Sequence, residues 1–273
     1  MTSLSYQNLV AQLTAGGQVN ALSLPESWLQ GRTAYGGIST ALLYEAVRQE
    51  NPDAPPLRSV QVTFIGPLYG ELRFSHTVLR ESKNTLLIEG QIENELGVGL
   101  KALFIFGHDR EFSDRFVTEP RAFQPPEDCF PIPRLGPNSG IPNFLQNFEV
   151  MFAQGTPPFS DDKTSSPKFS LWMRHNDTAS HEGMGPLLAI ADGPPPAIMT
   201  RLGGRTPLSS MNWHLNFYDA NPQTKDGWWL IECEASFSQN GYTAQFMRMY
   251  NHAGEAIGDA TQHIVVFEPK PKP

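Results

Sequence analysis

Met184, Leu187, Leu188 and Ala191 recur at the spacing of one buried helical face, which predicts a helix over 184–193 stopped by Gly193 and three prolines. A second helix is predicted over 35–48, where Ile38, Ala41, Leu42 and Ala46 are small or apolar and two glycines open the run. Between these helices the period changes from that of a helix to two. Val60, Val62 and Phe64 alternate with Ser59, Gln61 and Thr63, and Gly66-Pro67 ends that strand. Residues 71–80, 84–95 and 98–107 continue as strands, with a turn at Glu95, Leu96 and Gly97. Their short connections imply an antiparallel meander. A short helix over 5–14 and two short strands over 18–31, around Pro25, precede this block.

The same order follows in the second half. Strands are expected at 147–154 and 168–175, flanking a polar loop from Ser160 to Lys168, and then comes the 184–193 helix. Four more strands are expected at 208–218, 228–238, 241–251 and 257–267, the last two joined by a turn from Asn251 to Gly254. The order β-β-α-β-β-β-β thus occurs twice, about 150 residues apart, which makes the chain a duplicated α+β protein with a sheet wrapped round one helix in each copy. Residues 108–143 break both periods with charges and then Pro125, Pro126, Pro131, Pro133, Pro137 and Pro142. This reads as a stiff linker, with Phe130 and Phe144 packing it down. The division is therefore 1–110, linker 111–143, and 144–273.

Composition narrows the class without naming the chemistry. The 273 residues are enough for a sizeable core, and 40% hydrophobic with 18% charged residues is ordinary for a globular protein. A formal charge of −8 speaks against nucleic acid and against an anionic membrane surface. The two cysteines, Cys129 and Cys233, are far apart and fit neither a disulfide framework nor a zinc site. The first residues lack the basic and apolar regions of a secretory signal, and no run approaches the length of a membrane span, so a cytoplasmic protein is the expectation.

Candidate chemistry begins with Asp192, which falls on the apolar stripe four residues after Leu188. A carboxylate there needs partners or a displaced pKa, and both recur at active sites. Gly36 and Gly37 open the other helix, where backbone N–H groups favour negative charge and a tight turn is the plainer reading. Gln262 alternates with Ala260, Ile264 and Val266 on an apolar face, so it needs hydrogen-bond partners. Ser210 fits less cleanly. Strict alternation places it with Asn212, His214 and Asn216, opposite Met211, Trp213, Leu215 and Phe217, unless a bulge redirects it; Ser209 is the competitor. The seven histidines, among them His175, His181 and His214, show no paired ligand spacing, so no metal is expected. No Gly-x-Ser-x-Gly occurs. Arg32, Arg58, Arg80, Arg201 and Arg205 suit either a phosphate or solvent, and the five tryptophans read as packing.

These landmarks together resemble the acyl-CoA thioesterase II-like family of the hotdog superfamily, in its double-hotdog form. The resemblance rests on Tyr35-Gly36-Gly37, the strand from Arg58 to Pro67, Ala191-Asp192 before the prolines, the strand from Ser210 to Phe217, and Asp259 to Gln262. It covers nearly the whole chain, and the order of the motifs is more specific than any one of them. It implies hydrolysis of acyl-CoA or related thioesters by water held between Asp192, a strand hydroxyl and Gln262, with no cofactor and no metal. The family spacing to Phe217 selects Ser210 for the hydroxyl, where the family usually has Thr. Asn212, Trp213 and His214 depart from the commoner pattern and bear on substrate preference. Gly36 and Gly37 are the candidate oxyanion donors, reached across the interface of the halves. A homodimer or higher homo-oligomer is expected. Two other readings share the fold: a non-catalytic acyl-CoA or fatty-acyl binding protein, and a 3-hydroxyacyl-thioester dehydratase. The dehydratase needs a helix-borne His, which 36–48 and 184–193 both lack.

Overall fold

The structure is a computed structural model that describes residues 4–14, 21–133, 141–203 and 206–267. The first half holds α1 (Tyr6–Thr14), β1 (Ala21–Ser23), β2 (Leu29–Gln30), β3 (Thr33–Ala34), α2 (Gly36–Glu50), β4 (Leu57–Phe64), β5 (Glu71–Glu81), β6 (Thr85–Asn94) and β7 (Gly97–Gly107). After them come β8 (Phe130–Pro131), β9 (Phe148–Gly155), β10 (Lys168–His175), α3 (Met184–Ala191), β11 (Leu208–Phe217), β12 (Trp229–Gln239), β13 (Tyr242–Tyr250) and β14 (Ala256–Val266).

Twelve strands form one sheet in the order β1-β5-β6-β7-β4-β11-β14-β13-β12-β10-β9-β8. The halves meet at β4 and β11, which pair antiparallel from Asn212 opposite Thr63 to Asn216 opposite Ser59. Of these helices, α2 and α3 lie against this sheet and against each other. This is the α+β double hotdog. The inward strand residues Val60, Val62, Phe104, Trp213 and Leu215 and the helix residues Ile38, Leu42, Leu187 and Leu188 share a single core. All of Gly185–Ala191 is buried, so α3 is wrapped on every side rather than amphipathic.

The structure revises the sequence reading in four places. Residues 18–20 lie outside the described residues, and Pro25 precedes a single 3-10 turn, Glu26–Trp28, not a second sheet strand. β2 pairs only with β3, so the first copy sends one strand, β1, into the sheet ahead of its helix where the second sends β9 and β10. The helix predicted over 184–193 stops at Ala191, because Asp192 leaves helical geometry at φ −92° and ψ 3°. In the linker, Phe130 is 78% exposed while its neighbour Cys129 is buried. The edge pairing of β8 with β9 turns the ring outward. Phe123 does the packing instead, edge-on to Trp172 and Tyr250, and Arg121 lies over the rings of Phe123 and Tyr250. Phe144 is buried as expected, stacked on Tyr35 at 3.8 Å between ring centroids.

Candidate active site

The site forms where the two helices present opposite ends to each other. Tyr35 precedes α2 in an extended conformation and offers its helix no side-chain cap. The first N–H groups of a helix have no partner within it. Asp192, just past the end of α3, accepts the N–H of Gly37 and so caps the first half's helix from the second half. Glycine is required beside it: a methyl at Gly36 would stand 2.6 Å from Asp192 Oδ2 and 2.9 Å from the Phe64 ring. The close approach anticipated at Gly36 and Gly37 is thus made by a carboxylate of the protein itself.

Two strands supply the rest. Gln262 on β14 donates from Nε2 to Asp192 Oδ1 and to Ser210 Oγ, each at 3.0 Å. One amide nitrogen therefore ties Asp192 and Ser210 together from positions 70 and 52 residues away along the chain. Ser210 reaches this face through a β-bulge. It pairs with Ile264, whereas Asn212 pairs with His263, so Met211 is a surplus residue in the ladder. The extra residue reverses the alternation and places Ser210 on the inward side with Trp213 and Leu215. Ser209, the competitor, is exposed.

Gln245 on β13 was missed by the sequence reading. It lies directly opposite Gln262, is 2% exposed, and donates from Nε2 to Gln262 Oε1 at 2.7 Å. Its own Oε1 accepts the N–H of Ala197 at 2.8 Å. The signal was available: Gln245 alternates with Thr243, Met247 and Met249 on a buried face, as Gln262 does on its strand.

Protein surrounds the Asp192 carboxylate although the residue keeps partial surface access. Burial pushes its pKa up to about 7, against the opposing pull of the Gln262 and Gly37 hydrogen bonds. Burial, and then the charge of Asp192, raises the Tyr35 phenol well above its ordinary range. The buried Cys233 thiol is pushed up by burial, then by Glu232 and Asp192. Both groups stay protonated near neutrality. Ser210 Oγ already accepts one hydrogen bond, so its own hydrogen remains to be given. A carboxylate whose pKa burial raises toward neutrality, linked through Gln262 to a hydroxyl, suits proton abstraction from water.

The other candidates take structural parts. His175 is buried, its pKa lowered to about 4 by burial, and its Nε2 lies 3.0 Å from the carbonyl of Pro186 in the first turn of α3. His181 binds the carbonyl of His175, and His214 faces Ser59. Among the described residues no group of three or more His, Cys, Asp or Glu is placed to hold a metal. Arg58 pairs with Asp109 and Arg201 donates to the carbonyl of Ser165; Arg32 and Arg80 are exposed, and Arg205 lies outside the described residues. All five tryptophans are buried. No helix among the described residues is long and apolar enough to cross a membrane.

The acyl-CoA thioesterase N-terminal domain profile matches residues 24–107 and the C-terminal domain profile matches 126–266. The chain belongs to the acyl-CoA thioesterase family. No curated protein matches it by sequence. Solved structures share its fold. A hot dog protein of unknown function from Alicyclobacillus acidocaldarius superposes with a TM-score of 0.78 at 17% identity, covering 91% of this chain and 93% of the other. A putative thioesterase II from Thermobifida fusca gives 0.75 at 15% identity, covering 91% and 92%. The tesB protein of Mycobacterium avium subs paratuberculosis gives 0.70 at 16% identity, covering 97% and 100%. In this family member a single sheet carries strands from both halves of the chain.

Proposed function

We propose that the protein hydrolyses acyl-CoA thioesters to the free acid and CoA, with Asp192 as general base. The observation that carries this reading is the bridge from Gln262 Nε2 to both Asp192 Oδ1 and Ser210 Oγ, at the mouth of a helix N-terminus. Water sits between Asp192 and Ser210. Asp192 takes one of its protons as the oxygen attacks the thioester carbonyl. The carbonyl becomes a tetrahedral oxyanion, stabilised by the backbone N–H of Gly36, while Gly37 keeps Asp192 in place. Collapse breaks the C–S bond, and the leaving thiolate takes the proton from Asp192. Thioesters have little resonance stabilisation, so activated water suffices and no cofactor is needed. The working unit pairs residues 1–110 with 144–273 through 111–143, in the cytoplasm and as a homo-oligomer.

The test is incubation of the purified protein with acyl-CoAs of graded chain length and a thiol reagent. Thiol release supports the hydrolase, whereas acyl-CoA bound but intact points to a binding protein. Ser210→Ala should lower kcat about ten- to a hundredfold by removing one hydrogen-bonding group from the water. Ser210→Thr keeps the hydroxyl and should keep most of the activity. Equal rates for the Ala and Thr variants would remove Ser210 from the mechanism.

A further inference from the structure

We infer that Gln245 is a positioning residue: it fixes which end of the Gln262 amide faces Asp192 and Ser210. The inference rests on the reading of Asp192, Ser210 and Gln262 as the reacting centre. Its starting point is a group with no choice of role. The backbone nitrogen of Ala197 can only donate, and it donates to Gln245 Oε1 at 2.8 Å. That settles the orientation of the first amide, whose Nε2 then points at Gln262 and can only donate to its Oε1, at 2.7 Å. The second amide is settled in turn. Its Nε2 faces the reacting groups and spends both hydrogens there, one on Asp192 Oδ1 and one on Ser210 Oγ.

Without Gln245, Gln262 has two orientations. In the other one its carbonyl oxygen meets the Asp192 carboxylate, acceptor against acceptor, and Ser210 turns its hydroxyl hydrogen toward the amide instead of toward water. Both amides are buried, so water is poorly placed to substitute for the missing donor. The relay also ties the site to the segment that leaves it. Ala197 opens the 3-10 turn Ala197–Arg201 directly after the three prolines that follow Asp192. The same chain segment thus bears the carboxylate and anchors the amide that binds it.

The groups facing Asp192 are few. Gly37 N–H comes from α2, Tyr35 from the residue preceding it, Cys233 from β12, Ser210 from β11 and Gln262 from β14. Tyr35 and Cys233 stay protonated near neutrality, so the Gln262 amide is the polar contact that Gln245 can reverse.

The experiment uses Gln245→Met, which keeps the length and removes both hydrogen bonds. The Asp192 carboxyl pKa is followed by carbon NMR titration, alongside kcat and KM. Expected are an Asp192 pKa about one unit higher than in the unaltered protein and an acidic limb of the rate profile displaced equally. Turnover should fall about ten- to a hundredfold with KM nearly unchanged. An unchanged pKa and profile in a folded variant would overturn the inference, as would a loss confined to KM. Should Gln245→Met not fold, the side-chain amide signals of the otherwise unaltered chain decide. Asp192→Asn should then shift the Gln245 signal as well as that of Gln262, and a silent Gln245 refutes the relay. The titration needs no substrate. An unaltered protein without thioesterase activity would therefore sink the hydrolase reading, and the role of Gln245 would still be decided by the carboxyl titration.

Discussion

Asp192→Asn is expected to lower kcat for acyl-CoA hydrolysis by about 10²–10⁴-fold, the range for loss of a general base, with the fold retained. Asn has nearly the same shape and can still accept from Gln262, but it cannot take the proton of the attacking water. The pH dependence gives an independent check. The base must be ionised to act, so the unaltered protein's kcat/KM should rise through pH about 7 and level off above it. Stability should run the other way. The folded pKa of about 7 exceeds the ordinary value of 3.8, so the unfolded chain loses this proton first. Below the ordinary value both states are protonated and the contribution is fully present. It is lost as pH rises from there through 7. The full difference corresponds to about 4 kcal/mol. Partial water access at Asp192, and the Gly37 hydrogen bond weakened in the Asn variant, reduce the expected gain to about 1–3 kcal/mol. Urea denaturation at pH 5 and pH 8 measures it: Asp192→Asn should be the more stable protein at pH 8, with the gap closing toward pH 5. Undiminished turnover in the variant would end the case for Asp192 as base.

Gly37→Ala is expected to act chiefly on the fold. The added methyl would stand 2.6 Å from the carbonyl oxygen of Ala189 and 2.6 Å from the Tyr35 hydroxyl. That hydroxyl already donates to the same carbonyl at 2.9 Å. The obstacle on α3 is backbone, which cannot swing aside as a flexible side chain does, so α2 and α3 must separate. Overpacking of this kind costs about 2–4 kcal/mol. In a chain of this size it should lower the melting temperature by roughly 5–15 °C. Activity should fall even well below the melt, because the same separation draws Gly37 N–H away from Asp192. Gly66→Ala is the matched control. Its nearest heavy atom would be 4.0 Å away, and the change is expected to stay within about 0.5 kcal/mol. Equal melting temperatures for the two variants would mean the helices are not packed as described.

Local pattern carried much of this arrangement. Alternation located β4 to β7 and β11 to β14, and Asp192 and Gln262 stood out as polar residues at positions whose neighbours are apolar. What alternation cannot carry is pairing. The join between β4 and β11 is a contact between strands of different halves, and nothing in either strand alone specifies the other as its neighbour. The orientation of Ser210 depended on a bulge that exists only relative to β14. Phe130 was misjudged for a related reason: a two-residue edge strand fixes its side, and aromatic character alone does not. Gln245 was overlooked although its pattern matched that of Gln262, since it carries no chemistry of its own and gains a role only through the amide opposite.

Met211 gives the ladder between β11 and β14 one residue more than it needs. Asn212 points away from the helices and Trp213 toward them, so a chain lacking Met211 would bring Ser210 next to Asn212 in unbroken alternation. Unbroken alternation then puts that hydroxyl on the helix side, where it already is. A deletion inside the strand that carries a reacting group should thus be tolerated, with catalysis largely kept, while an insertion at the same point should abolish it. Among related chains, loss of this residue is therefore compatible with the chemistry, whereas one further residue at the same point is not.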